Sequence, residues 1–330
     1  MPIAMHKQWH FWLWKLARSW HYVDFQYLLP LLGRLPLLPG YYLAQWRGKL
    51  NGYLGKDWRS MALGFRHIWR QSALGLQMMA PNASDAERAK WRRERYSAEA
   101  RDEYDARLIA RGRIHELTCT ITPPHLANLT HNRTNGLLLL TPHYESALIG
   151  IPFLAQQGGT INCMTSTVTQ DPRVDPAVRL HFEKKYRGLE KYTNGGKFVD
   201  MELGVRPFYR MLENHETLVV LADAPPLPQG ASQSVFFVGS QRELAGGPLR
   251  IARSTHSQIG GYLCRCIGPG KYELHLHPPM PADDPLALEK IYDFFSHTLL
   301  RDPGGWWAHD LLPHMQLSDH TPNPASNPTY

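Results

Sequence analysis

The run Leu137-Leu138-Leu139-Leu140, closed by Thr141 and set between Gly136 and Pro142, restricts this chain more than any other stretch. It is unbroken by polar residues, too short for a stable helix, and bounded by a glycine and a proline. That is the pattern of a β-strand buried on both faces, which exists only in a sheet covered by helices on both sides. Thr217–Ala222 reads as another buried strand, and Ile161–Thr165 as a strand between the two. Helical segments fall between them, over Ser146–Gln157, Asp175–Tyr192 and Met201–Asn214. Strands alternating with helices predict an α/β fold with a mostly parallel central sheet flanked by helices. Downstream, Gly246–His256 reads as a helix and Ile259–Cys266 as a strand. A turn at Gly268–Lys271 then leads into Tyr272–His277, which alternates like an edge strand, and Leu286–Arg301 reads as a closing helix.

Before Leu117 the texture is helical. A helix is expected from Asp57 to about Met79, with Arg59, Arg66 and Arg70 facing outward, and Pro81 ends it. Ser84 and Glu87 have the spacing of a capping box, opening a charged helix that runs to about Arg111 and whose charge run reads as a solvated face. In the first twenty residues Trp9, Trp12, Leu13, Leu16 and Trp20 fall on one side at helical spacing, with Lys7, Lys15 and Arg18 adding positive charge. Tryptophan beside Lys and Arg on an amphipathic helix is the composition of a segment lying in the headgroup layer. Tyr27–Leu43 is apolar but interrupted by three prolines, two glycines and Arg34, so it falls short of the ~20 apolar residues that span a bilayer. No secretory signal with a small-residue cleavage site is evident. The expected organisation is a helical, membrane-associating region over 1–112, an α/β core over 113–316 and a disordered tail over 317–330.

Composition enters at two points. The net charge of +7, with 17 histidines beside it, favours an acidic partner: a phosphate-bearing lipid, an anionic bilayer, an acidic carrier protein or a nucleic acid. No nucleic-acid recognition motif accompanies that charge. The four cysteines, Cys119, Cys163, Cys264 and Cys266, form no disulfide framework in a chain of this length and read as reduced thiols.

Ligands of parallel α/β sheets gather at the carboxyl ends of the strands. One such end is Thr141-Pro142-His143-Tyr144-Glu145-Ser146, where His143 has the position to take a proton from an attacking hydroxyl. A carboxylate must then hold its tautomer, and the sequence offers Glu145, which is local, or Glu183. The second end is Leu221-Ala222-Asp223-Ala224-Pro225, whose Asp223 is placed to bond sugar hydroxyls or to orient a catalytic group. Gly246-Gly247-Pro248 opens a helix carrying Arg250 and Arg253, a helix start suited to an anion. Gly-x-Ser-x-Gly, Walker A, Gly-x-Gly-x-x-Gly and His-Glu-x-x-His motifs are all missing, and no cofactor, metal or nucleotide is called for.

Taken in order, several passages resemble the lipid A biosynthesis lauroyl/myristoyl acyltransferases of the lysophospholipid acyltransferase-like superfamily. They are the basic segment from Asp57 to Arg93; Leu137–Leu140 with His143; Glu216–Pro226; Phe236-Phe237-Val238-Gly239 followed by Gly246-Gly247-Pro248; and Pro303-Gly304-Gly305-Trp306-Trp307-Ala308-His309. The resemblance runs from about Leu28 to His314. It implies acyl transfer from acyl-acyl carrier protein, or acyl-CoA, to a hydroxyl or amine of a glycolipid, at the cytoplasmic face of a bacterial inner membrane. The acceptor would be a lipid A precursor or the lipid-linked end of a capsular glycan. His143 would be the general base, Glu145 its orienting acid, and Asp223, Gly246, Gly247 and Arg250 would bind substrate. One departure stands out: the family pattern is His-x4-Asp/Glu, and the fifth residue after His143 is Leu148. The rival expectations are a non-catalytic glycolipid-binding protein and a hydrolase that turns the same histidine on water.

Overall fold

A computed structural model of the chain describes residue 15, residues 18–227 and residues 229–316. Of the N-terminal stripe, Lys7, Trp9, Trp12, Leu13 and Leu16 lie outside the described residues, as does the tail after Gln316.

The fold is α/β. Its strands, in chain order, are β1 (Thr118–Thr122), β2 (Leu137–Thr141), β3 (Ile161–Thr165), β4 (Phe198–Asp200), β5 (Thr217–Leu221), β6 (Ser232–Phe237), β7 (Ser240–Ala245), β8 (Gln258–Gly268) and β9 (Lys271–Pro281). Seven of them form one sheet in the order β1-β9-β8-β2-β5-β3-β4, while β6 and β7 make a separate hairpin. Every neighbouring pair in the sheet is parallel except β8–β9. All five residues of β2 are buried, as the apolar run requires. Leu138 and Leu140 pack into a core on one face of the sheet, and Leu137 and Leu139 into a core on the other. Burying four leucines contributes on the order of 1.5–3 kcal/mol each, which fixes β2 at the centre. Tyr272–His277 belongs to β9, which is not an edge: β1, a short Thr-rich strand not evident in the sequence, pairs beyond it.

The longer helices are α1 (Leu37–Leu54), α2 (His67–Met79), α3 (Asp85–Ala110), α4 (Gly150–Ala155), α5 (Pro176–Glu190), α6 (Arg206–Glu213), α7 (Gly247–Ser254) and α8 (Ala287–Arg301). Three expected helices are shorter than their sequence patterns. Between Asp57 and Met79 the chain makes one turn, Ser60–Leu63, and breaks at Gly64 before α2. A 3-10 turn over Ala147–Ile149 precedes α4, and Gly204 separates Met201–Leu203 from α6. The capping box of Ser84 and Glu87 opens α3 as its spacing predicts.

The charged face of α3 is not solvated; the helix is buried continuously from Arg95 to Ile109. Most of its charges survive burial because they meet partners from other elements; Glu99 pairs instead with Arg95 of the same helix, at 3.5 Å. Arg95 donates to Asp57 at 2.8 Å, and Arg101 to both oxygens of Glu145 at 2.6 Å. Glu103 accepts from Arg47 at 2.5 Å, and Asp102 from Lys185. Asp105 accepts from Ser146 and Tyr272 at 3.1 and 2.5 Å. A charge stranded here without its partner would be strongly destabilising. Tyr104, Leu108 and Ile109 of this helix share a core with Leu137, Leu139 and Val219, so the helices before residue 112 and the sheet are built around common packing. Among the described residues, no helix is long and apolar enough to cross a membrane.

Candidate functional site

The centre of the sheet sets the site. β2 and β5 run parallel in register, Leu137 opposite Thr217 through to Thr141 opposite Leu221, and Ala222 N–H continues the ladder to Thr141 O at 2.8 Å. Both chains then leave the sheet in step. Pro142 has no N–H for a further rung, and the next residue on that side, His143, arrives opposite Asp223. The Asp223 carboxylate accepts from the His143 ring at Nδ1 (2.6 Å, Oδ1) and from the His143 backbone N–H (2.7 Å, Oδ2). A third bond comes from the indole Nε1–H of Trp306, at 2.7 Å to Oδ2.

This grip decides the chemistry of both groups. Asp223 is 1% exposed, and burial alone would raise its pKa; the neighbouring His143 and the bonds from His143 and Trp306 hold it below the usual carboxylate value instead. An ionised carboxylate only accepts, so Nδ1 of His143 carries a proton, and in the neutral ring the lone pair then belongs to Nε2. The His143 side chain is 28% exposed, so part of the ring meets solvent. No described residue bonds Nε2. Buried acid and oriented imidazole are the arrangement that general-base chemistry requires.

The loop holding His143 is clamped by residues 302–307, the glycine- and tryptophan-rich segment near the end of the chain. Trp307 N–H donates to His143 O at 2.9 Å and Glu145 N–H to Gly305 O at 2.8 Å. Tyr144 forms an isolated antiparallel bridge with Trp306, and its hydroxyl donates to Asp302 at 2.7 Å. Gly305 permits this approach, since a Cβ there would stand 2.6 Å from the Tyr144 ring. The Trp307 ring meets the His143 ring edge-on, centroids 5.6 Å apart, with its Nε1–H on Glu145 O at 3.0 Å. Trp306 is wholly buried.

Glu145 is not the partner of His143, contrary to the expectation drawn from its proximity. It adopts a left-handed backbone, φ +46°, which turns its side chain the other way onto Arg101. There the carboxylate is buried; desolvation raises its pKa and Arg101 opposes the rise. Glu183 is distant from this chemistry as well, paired along α5 with Arg187 at 2.6 Å. Asp223, expected among the substrate-binding residues or as an orienting group, takes the orienting place: its three hydrogen bonds go to His143 and Trp306.

Gly246 and Gly247 open α7, but the Gly246 N–H is already donated to Ala231 O at 2.7 Å. Arg250 is exposed, and no contact among the described residues joins it to the His143–Asp223 pair. The same helix start instead contributes Pro248 and Leu249 to a narrow apolar pocket with Leu140, Leu221, Ala222 and Tyr292. Tyr292 donates its hydroxyl to Ala222 O at 2.7 Å, which sets the pocket one residue from Asp223.

Sequence reasoning missed Trp306 as a ligand of Asp223, and Asp302 and Arg101 as anchors of the loop. The signal for Trp306 was present in Pro303-Gly304-Gly305-Trp306-Trp307, where two glycines beside two tryptophans mark close backbone approach. No protein-family model matches this chain, and no curated protein matches it significantly.

Proposed function

We propose that this protein is an acyltransferase that moves a fatty acyl group from a thioester donor to a hydroxyl of a glycolipid acceptor, with His143 as general base and Asp223 as its orienting carboxylate. The observation that carries the reading is the 2.6 Å bond between His143 Nδ1 and Asp223 at the carboxyl end of the sheet, with Nε2 left open. In this mechanism Nε2 takes the acceptor's hydroxyl proton while the oxygen attacks the thioester carbonyl carbon. The tetrahedral intermediate collapses with rupture of the C–S bond, and His143 returns the proton to the departing thiolate. Asp223 stabilises the imidazolium between these steps, and the bond from Trp306 keeps that carboxylate aimed.

The pocket bounded by Leu140, Leu221, Leu249 and Tyr292 is the proposed entry for the acyl chain, because its lining is apolar apart from Gln233 and includes Ala222, the residue before Asp223. The basic surface suits an acidic acyl carrier protein as donor, with acyl-CoA as the second candidate, and an anionic membrane face as the working place. In this reading the chain is a divergent relative of the lipid A lauroyl/myristoyl acyltransferases. The acid that family carries five residues after its histidine is Leu148 here, and Asp223, just past the end of the neighbouring strand β5, takes over its work in this reading. A lipid A precursor and a lipid-linked capsular glycan end are the proposed acceptors.

The test is to incubate the purified protein with acyl-acyl carrier protein and each acceptor, following free thiol and acylated glycolipid together. Equal amounts of thiol and acylated acceptor, both dependent on acceptor, are the expected result. Thiol release at the same rate without acceptor would identify a hydrolase, and no turnover of any thioester would leave a binding protein.

A further inference from the structure

We propose that the outer face of α1 is the surface with which the protein lies on an anionic lipid bilayer. The inference rests on the acyl-transfer reading, which calls for a lipid acceptor, and deepens it by naming the residues that meet the membrane. On α1, Leu38, Tyr42, Trp46, Lys49 and Tyr53 recur at intervals of four, four, three and four residues, which keeps them on one side of a helix. The four apolar members are 58, 58, 63 and 68% exposed. This is no loosely packed helix, because the opposite side is in tight contact with α3. A Cβ on Gly48 would stand 2.4 Å from Tyr96 O, and one on Gly40 would overlap the Tyr104 ring. Tyr41, Ala44 and Arg47 on that inner side are buried. The outward aromatics are therefore displayed by a helix already fixed in place.

Charge selects the occupant. The first 84 residues hold ten Lys and Arg but only two acids, Asp24 and Asp57. Both acids are buried and spent, Asp24 on Arg47 and Asp57 on Arg59 and Arg95. Every exposed formal charge that the described part of this region presents is therefore positive. Lys49 lies within the apolar row, and Arg34 is exposed just before the helix. Arg93 of α3 lies over the Tyr53 ring at 5.2 Å. A second copy of the chain docked through this face by a two-fold axis would set like charges against each other. Anionic headgroups complement the cations, and the headgroup–acyl boundary suits Tyr and Trp, which pair an apolar body with a polar edge.

The test is flotation of the full-length protein with vesicles of phosphatidylcholine alone or mixed with phosphatidylglycerol, beside light scattering and thermal melting. The variant Tyr42→Ser/Trp46→Ser/Tyr53→Ser should bind both vesicle types at least ~10-fold more weakly, since it removes the inserting surface. Arg34→Glu/Lys49→Glu, which alters only exposed charges and keeps the test valid if the first variant fails to fold, should lose ~10-fold on anionic vesicles alone. Binding within about twofold of wild type in both variants would overturn the proposal, as would wild type that ignores vesicles altogether. A wild-type dimer that the variants dissociate would assign the face to a second copy instead. Acyl transfer to a detergent-dispersed acceptor separates the two readings: its absence with vesicle binding intact overturns the enzymatic reading alone.

Discussion

His143 and Asp223 face each other because each stands two residues beyond Thr141 and Leu221, the last paired residues of adjacent parallel strands. The register of the strands therefore brings the imidazole and carboxylate together, and Trp306 locks the carboxylate from behind. If Asp223 orients the base, Asp223→Asn should lower turnover by ~10²-fold or more while the acceptor KM changes little. Glu145→Gln should divide the other way. It strands Arg101, a buried cation, and should cost about 3–5 kcal/mol of stability, yet turnover of the folded fraction should remain within a few-fold of wild type. Steady-state kinetics beside melting curves decide this, and a large kcat loss confined to Glu145→Gln would return the orienting role to that residue.

The buried charges of α3 make a second prediction. Lys185→Met leaves Asp102 uncompensated inside the protein and should cost about 3–5 kcal/mol, whereas Lys185→Met/Asp102→Leu should recover most of that loss. Chemical denaturation of both variants closes the cycle. A double variant as unstable as the single one would show that the pair holds more than its own two charges.

Asp105 makes stability depend on pH. Burial pushes its carboxyl up to about 7, although Tyr272 and Ser146 donate to it. An aspartate in the unfolded chain titrates near ~3.9, so its contribution to stability is full below that value. Between there and about pH 7 the unfolded chain gives up its proton before the folded one, and stability falls as pH rises. Asp105→Asn removes the effect while keeping an acceptor for Tyr272. The melting temperature of the variant relative to wild type should therefore climb from pH 5 to pH 8, and a difference that is flat across that range contradicts the assignment.

Much of this was legible in the chain. The runs Leu137–Thr141 and Thr217–Leu221 announced buried parallel strands because nothing polar interrupts their apolar stretches, and Ile161–Thr165 read as a strand between them despite Asn162. Ser84 and Glu87 marked the start of α3 through local bonds that sequence spacing encodes. What could not be read depends on partners far away in sequence. The burial of α3 rests on Arg47, Glu145 and Lys185, none of them on that helix, so a charged stretch resembled a solvated one. The three-residue β4 and the half-exposed β1 carry too little apolar pattern to stand out. The partner of His143 was misread for the same reason. Glu145 is two residues away along the chain, whereas Asp223 is 80 residues away and adjacent only through strand register.

The central claim is that His143 carries the chemistry. The most direct test is the acceptor-dependent rate of thiol release from acyl-acyl carrier protein, measured for wild type and His143→Ala at matched folded fraction. The account predicts a fall of at least ~10²-fold in the variant, the scale of losing a general base, with a melting temperature close to wild type because the ring is partly exposed. A variant that transfers acyl groups within a few-fold of the wild-type rate would contradict it.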